Sequence, residues 1–224
     1  MWKRLMMKHI DKRILRLEKG YCMTAVTENK LNVLNAKDFY IRCLEQATSI
    51  VSQVEPGDLA KSTPDTEWKV ADLLQHILYD LSWTPDIVQG KTKAQVGTAH
   101  DNLQIDANIP DVWETAAKAA IKAVEEADPL GVAHFFLGDT DVESYLWQAG
   151  GDQLIHAWDL AQGIGYVIQF DTELAQAIYD ATIPHQDMLA KSGLFAPAVK
   201  VDEHADVQTK VLGLYGRSLN WRKS

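Results

Sequence analysis

Asp152 and His156 stand four residues apart in the stretch Asp-Gln-Leu-Ile-His-Ala-Trp-Asp, which ends at Asp159. On a helix that spacing sets a carboxylate and an imidazole side by side on one face. Both are donors for a divalent cation, and a metal site built on them needs a third donor from elsewhere. His76, in the stretch Asp72-Leu-Leu-Gln-His-Ile77, is the other histidine placed on a helical pattern with a strong apolar stripe.

A second reading competes with this one. At about 100° per residue, Trp147, Leu154, Trp158, Ala161 and Gly165 form one apolar stripe. Asp152, His156 and Asp159 then fall on the opposite side, as the wet face of a surface helix would. Two features oppose a wet face. The segment from Ser144 to Gly165 contains no Lys or Arg, and Ala149, Leu160 and Gly163 on its other positions are small or apolar. Gly150-Gly151 in the helix interior costs roughly 1 kcal/mol per glycine, which is tolerable where a neighbouring helix comes close. The segment therefore reads as a central helix whose polar side faces a cleft.

The rest of the sequence offers little competing chemistry. It has no G-x-S-x-G elbow, Gly-rich phosphate loop or kinase signature. Of the other histidines, His9, His100 and His204 have polar surroundings and read as surface residues. His134 falls in an expected hairpin, and His185 follows Pro184. Cys22 and Cys43 make no disulfide framework and no C-x-x-C motif, which suits a reducing cytoplasm. Trp68, Trp83, Trp113, Trp147 and Trp158 read as core or pocket walls.

Charge narrows the partners. The net charge is −9, and between Lys122 and Lys191 there is no Lys or Arg against twelve Asp and Glu. Such a segment repels phosphate backbones and argues against nucleic acid, while it favours a cation. No apolar run approaches the ~18 residues of a membrane span. Residues 1–22 are the exception, with seven bases against two acids. They read as a targeting or membrane-surface segment, as a frayed helix, or as an extension upstream of a start at Met23.

The elements that must position the candidate ligands follow from periodicity and stop signals. Asn35 to Asp38 opens a first helix with Tyr40, Leu44, Ala47, Val51 and Val54 inward, stopped by Pro56-Gly57. Thr63-Pro64 to Trp68 is a loop. A second helix spans about 69–89, with Val70, Leu73, Leu74, Ile77 and Leu81 inward, and Pro85 should end or kink it. A long connection over 90–109 leads to a third helix that opens at Pro110. A hairpin follows, with its turn signal at Gly138-Asp139. The fourth helix carries Asp152 and His156. A fifth runs from Asp171-Thr172 to about Ser192, bent at Pro184. The tail is extended over 195–201 and helical near 207–214. We expect an N-terminal extension (1–30) followed by one mostly all-α domain (31–224), an antiparallel four-helix bundle with a hairpin and tail.

Three segments in order carry a resemblance. They are Thr63-Pro64 with Trp68-Lys-Val-Ala-Asp-Leu-Leu-Gln-His76, then His156-Ala-Trp-Asp-Leu-Ala161, then Gly193-Leu-Phe-Ala-Pro197 with Leu212-Gly-Leu-Tyr-Gly-Arg217. Over Ala36 to Trp221 the chain resembles the DinB-like metal-binding bundles, in the branch related to mycothiol-dependent maleylpyruvate isomerase. The resemblance implies a four-helix bundle that holds zinc or nickel through a histidine on the second helix, matched by His76, and a later pair four residues apart. That pair is matched by Asp152 and His156, where the family has His or Glu in place of Asp152. Asp159 is then a candidate for a supporting residue behind the ligands, or simply a helix-surface acid. The implied activity is that of a thiol S-transferase or isomerase, in which a low-molecular-weight thiol adds to an electrophilic substrate. The alternative is a metal-binding bundle without catalysis, acting as carrier, sensor or scaffold. No catalytic side chain is singled out, and a homodimer is compatible with either reading.

Overall fold

The computed structural model describes residues 34–65, 68–103, 105, 108–135, 138–192 and 195–221. The N-terminal extension, with His9 and Cys22, lies outside the described residues. Helix α1 spans Ala36–Val51 and α2 Val70–Val88. A short α3 (Lys93–Val96) lies in the connection to α4 (Ile109–Glu126). A two-stranded hairpin, β1 (Val132–Phe135) and β2 (Gly138–Asp141), leads into α5 (Val142–Ile164). Then follow α6 (Thr172–Thr182), α7 (Gln186–Ser192) and α8 (Val207–Leu214). The chain is mostly helical, as its periodicity implies.

Local chemistry accounts for the helix starts. The Asn35 side chain accepts from Asp38 N–H at 3.0 Å and caps α1. Lys69 N–H donates to Asp72 at 3.0 Å at the start of α2, and Asp141 accepts from Ser144 N–H at 2.7 Å at the start of α5. Each satisfies a backbone donor that the first turn leaves open. Gly165, in the left-handed conformation at φ 84°, closes α5.

The second helix spans the expected range, and of the two effects expected of Pro85, termination does not occur: α2 continues through Val88, with Ile87 and Val88 both buried. Packing of that last turn outweighs the one helical hydrogen bond that proline removes. The hairpin forms, but Gly138 and Asp139 lie in β2, where they pair with Phe135 and His134.

The described residues fall into two compact units, one ending at Phe170 and the other spanning Asp171–Trp221. In the first, α1, α4, α2 and α5 make a bundle in that cyclic order, each packing on two neighbours. The core is aliphatic and aromatic, with Leu73, Leu74, Ile77, Leu81, Leu146, Leu154 and Ile155 fully enclosed. In the second unit the extended tail lies along α8: Val199 N–H donates to the Gly213 carbonyl at 2.8 Å. Gly216 takes φ +77° with no room for a side chain against Ala196.

The α1–α5 contact is the most extensive in the bundle, and Gly150 permits it. A Cβ there would lie 2.8 Å from the Phe39 ring and 3.1 Å from Tyr40 Cα. Gly150→Ala should therefore destabilise the protein by about 1–2 kcal/mol, since overpacking exceeds the ~1 kcal/mol that alanine gains in helix propensity. Urea unfolding should show the loss, and Phe39→Leu in the same chain should recover part of it.

Candidate metal centre

Helices α2 and α5 are neighbours, and their facing sides bring His76, Asp152 and His156 together. One donor atom from each lies within 4.8 Å of the others. His76 Nε2 is 3.8 Å from Asp152 Oδ2, and His156 Nε2 is 3.5 Å from Asp152 Oδ1. The two imidazoles meet edge to face at 4.9 Å and 89°. Donors on a tetrahedral zinc would be about 3.3 Å apart, near the two distances from Asp152.

Each imidazole is backed by an acid from its own helix. The Nδ1–H of His156 donates to Asp159 Oδ2 at 3.2 Å, and Asp159 is wholly enclosed, at 0% exposure. His76 Nδ1 lies 3.5 Å from Asp80 Oδ2. Both rings thus turn Nε2 toward Asp152 and Nδ1 toward an acid; for His156 the hydrogen bond fixes ring orientation, as at metal-binding histidines. Burial, followed by the neighbouring His156, holds the His76 pKa well below its usual value. The ring stays neutral, which is the form that offers a lone pair.

Asp80 was not evident from spacing, although it stands at i+4 from His76 and repeats the Asp152–His156 interval in reverse. Partial desolvation, and then the charge of Asp152, push its pKa up to about 8. With 39% of its side chain open, it marks the wet side of the cleft. The face of α5 that carries His156 and Asp159 is dry instead: both are buried, and only Asp152 of the three keeps part of its side chain, 31%, in solvent. The wet-face reading of this segment is therefore set aside.

Trp68 closes another side. Its ring lies 4.7 Å from His76 and 5.8 Å from His156. The buried Thr63 hydroxyl lies 3.0 and 2.9 Å from the carbonyls of Asp65 and Trp68 and pins their loop. Gly163 gives that loop its seat, since a Cβ there would meet Val70, Ser62 and Thr63 at 3.0–3.3 Å.

The remaining histidines lie elsewhere. His134 pairs with Asp139 across the hairpin at 2.8 Å, His185 is in a 3-10 turn, and His204 is exposed. His100 departs from the surface expectation. It is half-buried, packs on Trp83 at 5.0 Å, and meets Asp86 at 2.8 Å. Burial works upward on Asp86, but bonds from Lys91 and His100 outweigh it and lower its pKa.

Residues 42–161 match the family model described as the mycothiol maleylpyruvate isomerase N-terminal domain. The chain belongs to this family. The matched segment spans α2 and nearly all of α5, and with them all three candidate ligands. Two proteins from two strains of Mycobacterium tuberculosis, both described as uncharacterized, are 30% identical over 140 residues, covering 60% of this chain and 70% of theirs. No solved structure matches the chain. No helix among the described residues is long and apolar enough to cross a membrane.

Asp80 and His76 impose a pH signature on the metal-free protein. Asp80 is raised on folding, so the folded state takes up a proton that the unfolded state does not as pH falls from about 8, and stability rises. His76 is depressed on folding, so below about 6.5 the unfolded state gains a compensating proton and the rise levels off. Urea unfolding with chelator present should show this profile, and Asp80→Asn should abolish the rise between about 8 and 6.5.

Proposed function

We propose that the domain binds a divalent metal through His76 Nε2, His156 Nε2 and the Asp152 carboxylate, and uses it in thiol chemistry as an S-transferase or isomerase. The observation that carries this reading is the convergence of two acid-backed imidazoles on one carboxylate. Zinc suits two nitrogen donors and one oxygen, with nickel the next expectation. The aspartate is one methylene shorter than glutamate, and its 3.5 and 3.8 Å approaches to the two imidazoles support its role as third donor.

A bound cation of this kind supplies the charge that favours thiolate over thiol. The protein's part is to hold the donors and shape the approach. Two neutral imidazoles and one carboxylate leave a single positive charge on a divalent site, so the donor set itself favours an anionic sulfur. Asp159 keeps the His156 ring turned, with Nδ1–H engaged and Nε2 forward. Asp80 lies beside His76 Nδ1 at 3.5 Å, without a hydrogen bond to it. Trp68 covers both rings on one side, so a low-molecular-weight thiol and its electrophilic partner approach past Asp80 and Asp152, the two partly open acids. Cys43 is fully buried, so we do not assign it as the nucleophile, and a buried thiol suits a reducing compartment such as the cytoplasm.

Purified protein should contain close to one zinc or nickel per chain by elemental analysis, and His156→Ala should lose it. Absence of stoichiometric metal from the wild type would refute the proposal. With metal present, consumption of a low-molecular-weight thiol against a panel of electrophiles should depend on it. Metal without any such turnover would identify a carrier or sensor instead.

A further inference from the structure

His76 and Asp152 belong to different helices, so their separation depends on how far α5 slides along α2. These two helices are not each other's main packing partners: α5 packs most on α1, and α2 most on α4. Apolar contacts alone tolerate sliding, whereas a hydrogen bond to one particular carbonyl selects one register. A shift of one residue is ~1.5 Å along a helix, while metal donors tolerate only about 0.2 Å.

Such a directional contact exists at the level of the ligands. Gln153 Nε2 donates to the Ile77 carbonyl of α2 at 3.3 Å. Gln153 adjoins Asp152, and Ile77 adjoins His76. The amide is 3% exposed, and its Oε1 has no hydrogen-bond partner among the described residues. A half-satisfied buried amide is costly, and an apolar side chain of the same volume would avoid the cost. Core packing therefore does not explain a glutamine here. Two turns earlier on α5 the same seam holds a second contact. Tyr145 Oη lies 3.0 Å from Thr84 Oγ1 of α2, which is 3.1 Å from Tyr40 Oη of α1.

We propose that Gln153 is a positioning residue that fixes the register of α5 on α2 and so sets the spacing of Asp152 and His156 against His76. This rests on the metal-binding reading of the triad. The hydroxyl chain through Tyr145, Thr84 and Tyr40 holds the far end of the seam, and Gln153 holds the ligand end.

Gln153→Met keeps the volume and removes the donor. It should fold with wild-type or higher thermal stability, because the unsatisfied amide is gone, while zinc affinity falls roughly 10- to 100-fold. Cobalt loaded in place of zinc should show a shifted visible spectrum. In chelated protein the proton–proton contact that the 4.9 Å edge-to-face packing of the His76 and His156 rings should give in wild-type NMR spectra should weaken. Gln153→Leu serves as a second variant if the methionine protein fails to fold. Unchanged zinc affinity and an unchanged ring contact in a folded variant would overturn the proposal. If the wild type takes up no metal but the ring contact is still lost in the variant, the positioning role stands and the metal-binding reading fails.

Discussion

A carboxylate removed from water needs a proton donor, and Asp159, with no exposed surface, takes one from His156 Nδ1. Much of the site follows from that bond. Held on one nitrogen, the ring has a single orientation, and the other nitrogen points across the seam at Asp152. Because His156 and Asp159 are three residues apart, the backbone of α5 sets the bond without help from a loop. The dry acid thus orients the candidate ligand ring, and the partly wet acid beside it is the candidate third donor.

The two halves of the site are built differently. On α5 the supporting acid is sealed. On α2 the supporting acid, Asp80, is 3.5 Å from its imidazole and partly open. Solvent reaches the site from that side, and Trp68 blocks the other. This asymmetry gives the cleft a direction. It rests on α1, which carries no candidate ligand but packs closely on α5 through Gly150 and reaches α2 through Tyr40. The helix without chemistry is the scaffold against which both ligand helices are placed.

Much of this could be read from residue types. Asn35, Pro110 and Asp171 mark helix starts where the helices begin, and the tail helix over 207–214 was expected where it lies. The missing Lys and Arg on α5 pointed to a buried helix, and most of its residues are buried. What periodicity could not convey is whether a polar stripe faces water or another polar stripe. His156 and Asp159 look the same in either case. Asp80 was missed for a related reason: an i, i+4 acid on a helix margin is common, and only the position of α5 gives this one a role. Pro85 left termination and kinking both open because the local rule for proline ignores how firmly the following turn is packed.

The places where α5 breaks local rules are concentrated around the candidate ligands. Gly150 gives up helix propensity, Gln153 leaves an oxygen unsatisfied, and Asp159 buries a carboxyl group. Helix propensity and apolar burial taken one residue at a time would favour alanine, leucine and another apolar residue at these positions. Each departure has a geometric counterpart: close approach to α1, register against α2, and orientation of His156. Structural histidines and acids in a core do not require all three together. A site that must keep donors from two helices within a few tenths of an ångström does, and this is why the packing of α5, more than any single ligand, argues that the triad is built to hold something.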